Sequence, residues 1–260
     1  MKRVTTTIEQ EIARIQEEYT YRANCEAFAA RYSLFNEATL LQLHSIERNL
    51  LALLKRHKFT ELADKKILDI GCGTGMHLQR FLAYGAQPGN LAGIDLMPER
   101  IALAKQMNPA IDWRQGSAHE LPYPDASFDL ITLFVVFSSI LNEPLQQQIA
   151  NEIWRVHKPG GLILCFDFTY SNPRNPAVVG ISRQHIRYLF QHPGAQFDFR
   201  RITLAPPLAR FIAPRAYGLV SFLEQIKLLN THIICSIKLD DKLSSGRVLP
   251  AFLRVPDSRD

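Results

Sequence analysis

Gly71, Gly73 and Gly75 stand at alternate positions between a short apolar run and a helical one, and this turn limits the folds open to the chain more than any other feature. Ile67, Leu68 and Ile70 suit a strand buried on both faces of a parallel sheet. Residues 76–84 predict a helix with Leu78, Phe81 and Leu82 on one side. Strand, glycine turn and helix start, in that order, mark the carboxyl edge of an open α/β sheet, where such sheets bind nucleotides. Glycine takes positive φ without steric cost and lets a ligand approach the main chain. Asp69 is expected at the rim of that crevice. The plainer reading is a tight strand–helix connection that is merely rich in glycine. A dinucleotide fingerprint, G-x-G-x-x-G, needs glycine at position 76, where Met76 stands.

Residues 91–95, LAGID, predict a second strand ending in Asp95, about 20 residues past the turn, where an acid meets ribose hydroxyls. Its competing role is to cap the helix that Pro98 and Glu99 begin. Residues 111–115 predict a weaker strand, and 128–136 a continuous apolar one. A helix over 143–157 is expected to stop at Pro159, with Gly160 and Gly161 reversing the chain into a fifth strand. Residues 195–204 and 232–239 predict the last two strands, with a helical insertion at about 205–230 between them. Ahead of the turn, 7–18 is polar and helical, with Thr7 and Gln10 spaced as a capping box. Residues 19–35 are aromatic and basic, and Leu43, Ile46, Leu50 and Leu54 give 40–57 a core-facing stripe. The expected organisation is a helical cap over 1–60, a core over 61–240 and a polar tail over 241–260.

The stretch D-I-G-C-G-T-G of residues 69–75 resembles the first motif of class I S-adenosylmethionine-dependent methyltransferases. Residues 116–129, GSAHELPYPDASFD, are similar to that family's G-D-A-x-x-L-P-F-P-D-x-S-F-D pattern. Residues 155–164 resemble its R-x-L-x-P-G-G-x-L turn, and the likeness spans residues 65–168. It implies a Rossmann-like α/β fold. The sheet would have seven mostly parallel strands with the last antiparallel, helices on both sides, an N-terminal helical cover and a helical insertion before the last strand. It also implies S-adenosyl-L-methionine as cofactor and direct displacement at its sulfonium methyl. Carried over by position, the cofactor-binding residues would be Asp69, Gly71, Gly73, Gly75, Asp95, Leu96, Ser117, Ala118 and Phe134. Asp95 would take the ribose, Leu96 and Met97 the adenine face, Ala118 an adenine nitrogen, and the Phe134 region the methionine amine. Ser117 stands where an acid is usual and would accept the adenine amino group through its hydroxyl. The histidine common in the loop after the fourth strand is absent; Ser138 or Ser139 would touch substrate there or cap the helix at Glu143. Arg22, Tyr32, Ser138, Tyr170 and Arg174 are the substrate-side candidates. Asp167, His119 and His185 are the candidate bases where the acceptor must lose a proton, each with a structural alternative. The R-I-T-L-A-P-P-L-A-R stretch of 201–210 resembles methyltransferase-like proteins of bacterial surface-polysaccharide gene clusters, which implies a sugar or lipid-linked acceptor.

Charge sharpens the expected partner. The 260-residue chain carries a formal +5, while residues 172–215 hold seven arginines against one acid, Asp198, a local +6. Arginine forks suit phosphate or carboxylate oxygens. Nucleic acid would want a denser basic and aromatic array, so a small phosphorylated or sugar-linked molecule is expected and nucleic acid is not. The four cysteines form no C-x-x-C pair, so no metal site is expected and a reducing compartment fits. The amino terminus lacks a secretory h-region, and the longest apolar run, 130–141, is too short for a membrane span; a cytoplasmic protein is expected. A nicotinamide-dependent oxidoreductase on a related sheet and a non-catalytic S-adenosylmethionine-binding protein are the competing classes.

Overall fold

The computed structural model describes residues 6–172 and 175–239. In chain order its elements are α1 (Ile8–Ala23), α2 (Glu26–Arg31), α3 (Glu37–Arg56), β1 (Ile67–Ile70), α4 (Met76–Ala83), β2 (Leu91–Asp95), α5 (Pro98–Met107) and β3 (Asp112–Gln115). Then come β4 (Phe128–Phe134), α6 (Glu143–Val156), β5 (His157–Phe168), α7 (Arg183–Leu189), β6 (Ala195–Leu204), α8 (Pro206–Ile212), α9 (Tyr217–Leu223) and β7 (Asn230–Leu239). The apolar runs pair into one seven-stranded sheet of order β3-β2-β1-β4-β5-β7-β6. β1 lies between β2 and β4, parallel to both, and β7 runs antiparallel to β5 and β6. Each face is buried. One packs on α1, α6 and α7 through Ile15, Ile149, Ile153 and Ile186. The other packs on α3, α4 and α5 through Leu50, Leu53, Phe81 and Ile101.

Local chemistry explains the element ends. Thr7 and Gln10 exchange hydrogen bonds as a capping box at the start of α1. Asn142, rather than Ser138 or Ser139, caps α6 by accepting from the Leu145 amide. β4 stops at Phe134, two residues short of the apolar run, because Val135 turns to φ +60°. α6 ends at Val156 and passes straight into β5, so Pro159 is not what stops it. Pro159, Gly160 and Gly161 lie instead where β5 bulges, since Phe128 pairs with His157 but Leu130 pairs with Leu162. A Cβ on Gly161 would come within 2.9 Å of the Asp129 carbonyl oxygen.

The glycine turn is docked on β2. Gly71 and Cys72 amides donate to the Ile94 carbonyl at 2.8 and 3.1 Å, and the Gly73 amide donates to Asp95 Oδ2 at 2.8 Å. All three glycines have positive φ: +67°, +56° and +86°. Gly75 is further constrained by Trp113 of β3, whose ring would lie 2.3 Å from an added Cβ. Gly75→Ala therefore combines left-handed strain with overpacking, and we expect a loss of about 2–4 kcal/mol in urea unfolding. A loss below that of an ordinary surface substitution would show that Trp113 does not wedge the turn.

Candidate active site

A cleft of about 690 Å³, measured out to its mouth, opens at the carboxyl edge above β1, β2, β3 and β4. Gly71, Asp95, Leu96, Met97, Ser117, Ala118 and Phe134 line it, drawn together from four separate connections. Asp95 is nearly buried, and its two carboxylate oxygens accept from the Gly73 and Met97 amides. Each oxygen keeps lone-pair capacity for a further donor. Ser117 Oγ bonds His119 Nδ1 at 2.6 Å, so the serine is oriented by the histidine beside it. The segment between them and β4 is fixed from α6, where Arg155 donates to the Leu121 and Tyr123 carbonyls at 2.8 Å.

Asp69 lies below the cleft rather than at its rim. It is buried between Gly93 and Thr132 in the sheet register, and Oδ1 accepts from Thr132 Oγ1 at 2.6 Å. Its Oδ2 is buried and has no partner. Burial, only partly offset by Thr132, pushes its pKa up to about 7. The turn amides of Gly71, Cys72 and Gly73 are already used on β2, so they are not free donors for a ligand carboxylate.

The roof comes from the N-terminal helix. Ile12, Ile15 and Tyr19 of α1 close over Ile140, Leu145 and Ile149. Glu11, 1% exposed, takes a two-point ion pair from Arg14 at 2.8 Å and the Leu141 amide. Arg14 also donates to the Ser139 carbonyl at 2.7 Å, and Tyr19 Oη lies 3.0 Å from Ser139 Oγ. Arg100 of α5 sits 4.5 Å over the Tyr19 ring. A polar latch thus ties α1 to the loop after β4. The stripe Ile8, Ile12, Ile15, Tyr19 has helical spacing and was the signal for this roof within an otherwise polar segment. Val135 had no such signal: a β-branched residue at φ +60° is strained, and it lines the cleft between Phe134 and Val136. His77 stacks on Phe134 at 3.8 Å, a contact that no local pattern in the sequence marks.

Several candidates from the sequence serve elsewhere. Asp167 is buried and accepts from the Ser138 and Phe168 amides at 3.0 and 2.9 Å, holding the turn Phe137–Ser139 onto β5. Burial raises its pKa to about 6 against those hydrogen bonds. His185 bonds Gln146 Oε1 at 2.6 Å, and Gln146 donates to the Phe137 and Ile140 carbonyls, so this histidine braces the same loop from behind. His119 is engaged with Ser117 on the β3 side. Arg22 pairs with Glu18 and packs over Tyr19 and Phe28. Ser138 is fully buried. Tyr170 is exposed beside Arg201, and Tyr32 lines a different groove with Pro206 and Arg210. Arg174 lies outside the described residues. The remaining arginines do not converge on the cleft: Arg183 and Arg187 lie over Phe199, and Arg200 pairs with Asp198. No group of His, Cys, Asp or Glu among the described residues could hold a metal ion.

The sheet order with its reversed last strand, and the cleft over β1 and β2, define a class I methyltransferase fold. Residues 68–165 match the family model of a methyltransferase domain. Among curated relatives, the demethylmenaquinone methyltransferase of Bacillus mycoides is 27% identical over 63% of this chain and 66% of its own length. The ubiquinone/menaquinone biosynthesis C-methyltransferase of Bartonella tribocorum is 32% identical over 54% of this chain and 55% of its own length. The chain thus spans less than two thirds of either relative. Geranyl diphosphate C-methyltransferase from Streptomyces coelicolor shares the fold with a TM-score of 0.57, at 13% identity over 80% of this chain and 86% of that one. These findings do not favour the nicotinamide reading, in keeping with Met76 at the would-be third glycine.

Two measurements test the site's electrostatics. Burial opposes the Glu11 charge, but hydrogen bonds from Arg14 and the Leu141 amide outweigh it and hold its pKa below the usual range. Its contribution is therefore present above its unfolded pKa and lost as pH falls through the folded one. Glu11→Gln should cost about 1–3 kcal/mol near neutral pH and speed amide exchange across α1; unchanged exchange in α1 would discard the latch. Asp69 has the opposite sign. Its raised pKa stabilises the fold while the acid is protonated, fully below about 4, and that contribution is lost as pH rises through about 7. Relative to wild type, Asp69→Asn should gain stability across that window, on the order of a few kcal/mol. A pH-independent difference in denaturant midpoints would contradict the burial assignment.

Proposed function

We propose that the cleft binds S-adenosyl-L-methionine and that the protein transfers a methyl group to a small, largely apolar acceptor. One observation carries this reading: Gly71, Asp95, Leu96, Ser117, Ala118 and Phe134, distant in sequence, line one cleft. The residues fit the cofactor chemically. Asp95 would accept the ribose hydroxyls through lone pairs its amide partners leave over. Leu96, Met97 and Ala118 would bracket the adenine, with Ser117 at its polar edge. The orphan Oδ2 of Asp69, just beneath the turn, supplies negative potential for an ammonium group and would ionise fully beside one. When bound, the cofactor supplies an electrophilic methyl on a sulfonium centre.

The chain's own work is then orientation and water exclusion. Ile12, Ile15, Ile140, Leu145 and Ile149 make an apolar roof, and the Tyr19–Ser139 hydroxyl pair gives an acceptor oxygen a place to bond. Asp95 is the one carboxylate among the lining residues, and it is committed to amides, so the reading favours an acceptor that is already nucleophilic. An electron-rich ring with a phenolic oxygen meets that need, and the reduced, quinol form of the quinones for which the curated relatives are named is such a ring. A phosphorylated or sugar-linked acceptor gains no support from the arginines, which do not line the cleft apart from Arg100. No helix among the described residues is long and apolar enough to cross a membrane.

Titration calorimetry with S-adenosylmethionine tests the cofactor assignment. Asp95→Ala should weaken binding by about 1–3 kcal/mol, the order for lost charge-assisted hydrogen bonds. Full affinity in a folded variant would remove the ribose role. S-adenosylhomocysteine formation should follow addition of a demethylated quinol and not of a sugar phosphate; the reverse pattern would overturn the acceptor class.

A further inference from the structure

The helical insertion between β6 and β7 has no task in the cleft, yet its surface is unusual. Phe211, Tyr217, Leu219, Phe222, Ile226 and Leu228 are all exposed within it, Phe211 by 69%, Phe222 by 67% and Leu228 by 84%. Such a run of large apolar groups on one short insertion exceeds the scattered exposure of an ordinary surface. The loop after α2 extends the patch: Phe35 is 98% exposed, and Tyr32 shares a groove with Pro206 and Arg210.

Exposed charge on the insertion itself has one sign, while the exposed Glu37 stands at the start of α3 beside Phe35. Between positions 205 and 229 the basic residues are Arg210, Arg215 and Lys227, and the sole acid is Glu224. Glu224 is turned inward, where it accepts from Ser45, Arg48 and the Thr203 amide. Arg215 and Lys227 are exposed, and Arg215 lies 5.5 Å over the Phe211 ring. Aromatic and aliphatic groups interleaved with cations, with no outward acid between positions 205 and 229, match an anionic bilayer surface, where apolar side chains enter the headgroup boundary and cations meet lipid phosphates. A neutral protein groove would leave the cations without partners.

The placement agrees. β6 runs in the direction of β5, because both are antiparallel to β7. The insertion therefore leaves the sheet at the carboxyl edge, the edge that carries Gly71, Asp95 and Phe134. We propose that residues 205–229 dock the protein on anionic lipid bilayers, with the carboxyl edge of the sheet facing the membrane. This proposal does not rest on the acceptor reading, since docking is measured without turnover.

Sedimentation with phosphatidylcholine vesicles, with and without phosphatidylglycerol, tests it. The wild-type chain should bind the anionic vesicles at least about tenfold more tightly than the neutral ones and release as salt is raised. Phe222→Ser with Leu228→Ser should abolish sedimentation, and Arg215→Glu with Lys227→Glu should remove the anionic preference. Both variants should keep wild-type unfolding midpoints and S-adenosylmethionine affinity, which separates docking from the cofactor site. Equal sedimentation by the serine variant, or none by wild type, overturns the proposal. So does a concentration-dependent dimer in ultracentrifugation that the serine variant loses, which would assign the patch to a second copy.

Discussion

The docking of the glycine turn on the end of β2 is the constraint on which the site depends. Three consecutive amides, from Gly71 to Gly73, are satisfied by the Ile94 carbonyl and the Asp95 carboxylate. These bonds fix the turn and Asp95 together. Trp113 then fills the space beneath, pressing on both Gly75 and Gly93. The alternation of glycines is thus explained twice, by positive φ at each position and by a ring that leaves no room for Cβ at the third.

A second arrangement closes the cleft from the opposite side. The roof helix buries an apolar stripe, but what registers it is polar: Glu11 receives both Arg14 and the Leu141 amide. Stripes slide, whereas a buried carboxylate left unpaired is costly, so the bonds that cross to the loop, from the Leu141 amide to Glu11 and from Arg14 to the Ser139 carbonyl, fix where α1 docks. Behind that loop, Asp167, Gln146 and His185 form a second layer of support. Groups that look like acid–base chemistry in the sequence are therefore holding a loop in place. Under the proposed methyl transfer, the chain's contribution would be orientation rather than proton transfer.

Much of this was legible in the residues. Apolar runs at 67–70 and 91–95 and the mixed stretch 195–204 coincide with strands, and period-four patterns with helices, because burial on a sheet or helix face imposes those spacings. The acid ending LAGID and the GSAHELPYPD stretch lead to residues that share the cleft. Less was legible where one residue type has several uses. A run of arginines reads as an anion site, but Arg183 and Arg187 spend their planar groups on the Phe199 ring and Arg200 spends its own on Asp198. The family likeness assigns Tyr32 and Arg22 to the substrate side, while packing sends them to different surfaces.

The order of strands and helices, the glycine turn and the acid that partners it follow from local periodicity and backbone preference, and so can be read from the residues alone. Only the tertiary structure decided that Asp69 is buried with an orphan oxygen, that Val135 is strained beside Phe134, and that Asp167 faces inward. Those properties depend on which side chains meet across the sheet. Residues such as Asp69 and Thr132, or Ser138 and Asp167, are far apart in the chain, and local pattern carries no information about their meeting.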